Sequence, residues 1–214
     1  MFKKYRNSSL FANHYLDHIL PEEKEWNLDI EPVFKKVKTL YDSMQSELPQ
    51  LNESQLRKHF LDKIFEILGF TIDVEPPAMG EEWTRKPDYA LFKNDEALKS
   101  ARKVLKNIAP KKFLENKSGG YFKASLCIAE AKRWGRPLDR QLKTASDPFD
   151  VQNPSLQISR YLWLTNVKWG VLTDGKIWRL YERETPNCLR KWTHGQKIPL
   201  EEKSKRKLSV CKKI

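Results

Sequence analysis

The stretch SLCIAEAK at residues 125–132 constrains the fold more than any other part of the chain. Its centre is almost unbroken apolar and rich in small and β-forming side chains, the pattern of a strand covered on both faces. A strand buried on both faces needs a covering layer on each side, and amphipathic helical stretches elsewhere in the chain can supply one. The expectation is an α/β fold.

The rest of the pattern agrees. Residues 32–48 place Val33, Phe34, Val37, Leu40, Tyr41 and Met44 at helical spacing. A second helix starts at Asn52, with Gln55 three residues on as a capping partner and Glu53 as its first helical residue. It carries the stripe Leu56, Phe60, Ile64, Phe65 and Leu68, and Gly69 stops it. FTIDV at 70–74 and YALF at 89–92 read as strands, and residues 95–107 as a charged helix closed by Pro110. Asn153-Pro154 opens another helix. KWGVLT and KIWRLY flank Asp174-Gly175, the dipeptide of a type I′ hairpin. Near the start, residues 10–20 form an amphipathic turn or short helix ending at Pro21. There His14 and His18 stand one turn apart, a spacing more often of packed or solvent-facing residues than of metal ligands. The organisation expected is a helical extension over residues 1–50, a core over 51–182, and a basic, poorly structured tail over 183–214.

No apolar window reaches the roughly 18 residues of a membrane span, and the N-terminus lacks a secretory signal. Three cysteines without CxxC spacing suggest neither a disulfide framework nor a zinc site. A cytoplasmic protein without membrane association is expected. Lys and Arg number 40 against 28 Asp and Glu, a formal charge of +12. Part of this excess lies in the terminal segment 201–214, but the remainder is still basic. Such a balance favours a polyanionic partner, because basic side chains that neutralise phosphates release condensed counterions.

The strand at 125–132 ends in Glu130-Ala131-Lys132. The pattern [DE]xK occurs five times in this lysine-rich chain, so the tripeptide alone means little. Only at Glu130 and Lys132 does it end a buried strand, where the two-residue period sets both side chains on one face. A carboxylate and an ammonium there need partners. Asp88 opens the earlier strand directly after Pro87. Two carboxylates from neighbouring strand ends, with the Ala131 carbonyl, would make an oxygen site suited to Mg²⁺. Lys132 could then orient or deprotonate a water and stabilise charge developing on phosphorus. The plainer alternative is an ordinary Glu–Lys ion pair at a strand end.

LFANHYL near the start, NESQLRKHFLDKIFEILGF, KPDYALF, YFKASLCIAEAKRWGRPLD, NPSLQISRYL and WGVLTDGKIWRLY occur in this order between about residues 10 and 181. Together they resemble the PD-(D/E)xK nuclease superfamily. The likeness is closer to the N-terminal nuclease domain of type IIG restriction-modification enzymes, and also to that of type I restriction motor subunits. The resemblance implies a restriction-endonuclease-like fold, with a central mixed sheet flanked by helices, and a Mg²⁺-dependent endodeoxyribonuclease acting on double-stranded DNA, with Mn²⁺ as a substitute. It implies Asp88 and Glu130 as metal-binding acids, Lys132 as the catalytic lysine, Glu53 as an acid beside the metal, and Gln157 close to the active site or the DNA backbone, with Tyr161 one turn further.

Lys86, Arg85, Arg133, Arg136 and Arg140 surround the site in sequence and are candidates for phosphate contact. Trp134 is placed to stack or pack, and Trp163, Trp169 and Trp178 fall within packing patterns, which speaks against an RNA-binding platform. The chain departs from the family by stopping soon after Tyr181, with no NPPY-type, GxGxxG or GxxxxGK[ST] motif. The expectation is therefore a truncated or trimmed module, whose methyltransferase and specificity functions lie in missing domains or separate chains. Double-strand cutting would require a homodimer or repeated nicking. The rival expectation is a catalytically silent DNA-binding or interaction module.

Overall fold

A computed structural model describes residues 10–77, 86–107, 120–140 and 153–184. Arg85, Cys188, Cys211, Pro110 and the tail beyond residue 184 lie outside the described residues. Five strands form one sheet in chain order: β1 (Thr71–Val74), β2 (Tyr89–Phe92), β3 (Cys127–Ala131), β4 (Trp169–Thr173) and β5 (Trp178–Glu182). Neighbours are antiparallel except β3 and β4, which run parallel. A parallel pair cannot be joined by a hairpin, and the connection includes helix α6 (Pro154–Thr165), packed against β3 and β4.

The central strand β3 is buried at all five positions, which is why its sequence lacks polar alternation. Its two faces enter different cores. Leu91, Cys127, Ala129 and Ala131 face one cluster, and Ala90, Ile128 and Leu172 face the other. The first cluster is closed by the helical run from Asn52. Here the capping box is complete: Gln55 N–H donates to Asn52 Oδ1 at 2.8 Å, and Asn52 N–H donates to Gln55 Oε1 at 3.0 Å. The run is not one regular helix. Between α2 (Glu53–Leu56) and α3 (Asp62–Ile67) lies a π turn, Arg57–Leu61, and the whole stripe from Leu56 to Leu68 is buried. Gly69 ends it at φ 88°, a conformation that glycine adopts without Cβ strain.

Helix α1 (Glu31–Met44) lays Val33, Val37, Leu40 and Met44 on the same cluster, and Leu48 beyond it is fully buried. The second cluster is closed by α4 (Asp95–Asn107), α5 (Gly120–Lys123) and α6. Asn153 caps α6 by accepting from Ser155 N–H, with Pro154 at the first helical position. Gly170 on β4 lets α6 approach closely, since a Cβ there would lie 3.1 Å from both Ile158 and Leu162 side chains.

The β4–β5 connection corrects the type I′ expectation. Thr173 pairs with Trp178, which leaves a four-residue loop, and only Gly175 in it has a positive φ, 81°. Polar side chains replace turn geometry: Asp174 Oδ1 accepts from the N–H groups of Lys176 and Ile177, and Thr173 Oγ1 from that of Gly175. Among the described residues, no helix is long and apolar enough to cross a membrane.

Candidate active site

Tyr89 pairs with Ala129 at the end of the β2–β3 ladder, and Asp88 and Glu130 are the next residues outward along the two segments, so two acids come together where β2 begins and β3 ends. Asp88 Oδ2 accepts from the Ala131 N–H at 2.7 Å, joining the two strand ends. Like charges so placed repel, and the surroundings compensate. Arg57, from the π turn, donates to Asp88 Oδ1 at 2.7 Å. Lys132 Nζ donates to Glu130 Oε1 at 2.7 Å and lies 3.8 Å from Glu53 Oε1. The capping box that starts α2 at Glu53 thereby also directs this carboxylate toward the strand ends.

Lys132 and Glu130 are both buried, 7% and 3% exposed. Burial, and then the charge of Asp88, push the Glu130 carboxyl up to about 8. Burial raises Asp88 as well, against the opposing pull of Arg57. For Lys132, burial works toward the neutral amine, but the charges of Glu130, Glu53 and Asp88 prevail and hold it protonated well above the usual lysine range. Glu53, Asp88 and Glu130 thus share two cations, Lys132 and Arg57, and Glu130 is the carboxyl that keeps a proton at neutral pH without metal. Among the described residues, Glu130 Oε2 is buried without a hydrogen-bond partner. A buried carboxylate oxygen left in this way costs free energy unless a cation or proton meets it.

No protein-family model, curated protein or solved structure matches the chain.

The chemistry of the cluster follows from its own atoms. Asp88, Glu130, Lys132 and Glu53 converge although they are far apart in sequence. Gln157 lies on α6, where its Nε2 donates to the Tyr161 hydroxyl at 3.2 Å. Tyr161 is buried, and burial together with the Glu130 charge pushes its hydroxyl up to about 12. Gln157 is tied to Tyr161, whose hydroxyl feels the Glu130 charge.

The basic candidates separate. Arg133 and Arg140 are exposed, whereas Lys86 is engaged at 3.1 Å by Glu75. Arg136 requires a correction: it is only 2% exposed, and its guanidinium donates to the carbonyls of Pro137 and Arg140 at 2.7 and 3.1 Å. It braces its own loop from inside and is withdrawn as a phosphate contact. Trp134 packs against Tyr41 and Phe60, and Trp178 against Phe65. Trp163, expected in a packing pattern, is instead 60% exposed on α6, because the helix buries Tyr161 and Leu162 and turns position 163 outward. His14 and His18 stack tilted at 4.9 Å in the N-terminal turn. Among the described residues, no three His, Cys, Asp or Glu side chains are gathered to hold a metal by themselves.

Arg57 and Glu75 were not legible as site residues. Arg57 does carry a signal, lying four residues after Glu53 on a capped helix and therefore near the same face. Glu75 carries none, because its position depends on β1 pairing with β2: its N–H donates to the Asp88 carbonyl at 2.8 Å.

Proposed function

We propose that this protein is a Mg²⁺-dependent DNA endonuclease of the PD-(D/E)xK type, hydrolysing phosphodiesters at the ends of β2 and β3. The observation that carries the reading is the juxtaposition of Asp88 and Glu130 with Lys132, around a buried Glu130 oxygen that has no hydrogen-bond partner among the described residues. An ordinary strand-end ion pair would need neither the second carboxylate nor that oxygen. The mixed sheet flanked by helices is in keeping with the fold that the sequence resemblance implies.

Asp88, Glu130 and the Ala131 carbonyl would hold the cation, with water and a phosphate oxygen completing an oxygen shell, since two carboxylates alone do not suffice. A bound Mg²⁺ would supply Lewis-acid polarisation of the phosphoryl group and acidify an attacking water. In the metal-free protein Lys132 is held protonated by its neighbouring acids, and the role it takes here is to donate to the negative charge that develops on the phosphoryl oxygens. Glu53 and Glu130 position that ammonium from two elements. Tyr161 remains a neutral hydroxyl that orients Gln157 at the edge of the site. Exposed Arg133 and Arg140 provide sequence-independent contact with the DNA backbone.

Nicking of supercoiled plasmid by the purified protein tests this reading, with Mg²⁺ or Mn²⁺ and with EDTA. Nicked circles that depend on the metal support it. Salt-sensitive plasmid binding without nicking under any metal would favour a silent DNA-binding module.

A further inference from the structure

The strongest contact in the site that phosphodiester hydrolysis does not explain is that between Arg57 and Asp88. The guanidinium is 13% exposed and meets a carboxylate 12% exposed at 2.7 Å. It also lies 5.4 Å from the Tyr89 ring centroid, over its face. On its far side Glu75 stands 3.5 Å away, itself 3.1 Å from Lys86. Glu75 holds a positive φ of 51°, unusual for a residue with a Cβ, and its carboxylate is half exposed. Backbone outliers of this kind persist where surrounding structure imposes them.

Asp88 therefore holds one oxygen on the Ala131 N–H and the other on a cation supplied by the chain. We infer that Arg57 is a positioning residue that stands in for the divalent cation, holding Asp88 in place and competing with the metal for its carboxylate. Glu75 is the second acceptor that receives the guanidinium when the metal displaces it. The inference rests on the nuclease reading insofar as the displacing cation is the one assigned to Asp88 and Glu130. Electrostatics sets the direction: a fixed positive charge in contact with a ligand carboxylate opposes a divalent ion there. The arrangement offsets the Asp88 charge without metal, at a cost in metal affinity.

The test uses Mn²⁺ alone as probe, with the full chain freed of metal by EDTA and dialysed, and free Mn²⁺ read by electron paramagnetic resonance. Removing the charge in Arg57→Gln should tighten Mn²⁺ binding by roughly tenfold or more, whereas Arg57→Lys, which keeps the charge, should stay near the original affinity. Mn²⁺ should also raise the melting temperature of Arg57→Gln more than that of the unmodified protein. Should Arg57→Gln not fold, Mg²⁺ titration of the ¹⁵N-labelled unmodified protein reads the same event, as a shift of the Arg57 side-chain resonance. That signal is assigned by its loss in Arg57→Lys. A folded Arg57→Gln that binds Mn²⁺ no more tightly, or an Arg57 resonance unmoved at saturating Mg²⁺, overturns the inference and leaves the metal site standing. Absence of Mn²⁺ binding in every variant overturns both. Asp88→Asn, expected to weaken binding, confirms which carboxylate is read.

Discussion

Asp88 accepts the Ala131 N–H at 2.7 Å across 43 residues of sequence, so the carboxylate assigned to the metal is also the clasp between the start of β2 and the end of β3. On the proposed function, activity and stability are coupled at this residue. Asp88→Ala should remove activity and also lower unfolding stability by about 2–4 kcal/mol, because the largely buried Arg57 is left without its main partner. Denaturant titration of both proteins in EDTA checks the second part independently of catalysis.

Glu130 gives the opposite sign. Its folded-state pKa of about 8 stands above the ordinary 4.5, so the folded protein keeps a proton that the unfolded chain releases. The contribution to stability is complete below pH 4.5 and is lost as pH rises toward 8. Metal-free protein should therefore lose stability across this window. Glu130→Gln should flatten that slope and be the more stable protein at pH 8, by about 1–3 kcal/mol, while abolishing cleavage. Thermal melts in EDTA at several pH values decide it.

Two nearby arginines should behave oppositely. Arg136→Ala should cost about 2–4 kcal/mol of stability, because two carbonyls lose their donor and a buried side chain is removed. Arg133→Ala should leave stability nearly unchanged and weaken DNA binding, lowering the slope of log K against log salt by about 1. Binding titrations at four salt concentrations, beside thermal melts, separate the two cases.

These contrasts mark the limit of what the sequence makes legible. The Asn52–Gln55 box, the bounds of β2 after Pro87 and the start of α6 at Asn153-Pro154 depend on contacts within a few residues, and pattern alone locates them. The meeting of Asp88 with Glu130 follows once β2 is known to neighbour β3. What stays hidden depends on distant geometry or side-chain direction. Arg57 reaches Asp88 over 31 residues from inside a π turn, and nothing in RKHFL announces that turn. Arg136 looks like its exposed neighbours, yet curls back onto the Pro137 and Arg140 carbonyls. Asp174-Gly175 reads as a two-residue turn, but the Thr173 and Asp174 side chains hold a longer loop.

Helix α6 carries Gln157 and Tyr161 and is seated against β4 through Gly170. Gly170→Ala places a methyl 3.1 Å from Ile158 and Leu162, and should cost about 1–3 kcal/mol. Because it pushes α6 off the sheet, nicking should fall as well, without a change in DNA affinity. Plasmid nicking and binding measured on the same preparation test the pairing of effects.

The central claim is that Lys132 acts as a protonated donor to a phosphate held beside Asp88 and Glu130. Its most direct measurement is the single-turnover nicking rate of Lys132→Ala relative to the unmodified protein, in Mg²⁺, with DNA affinity determined in parallel. The account predicts a rate lower by roughly a hundredfold or more at nearly unchanged affinity, the loss expected on removing a donor to developing charge. A Lys132→Ala protein that nicks at the original rate would contradict it.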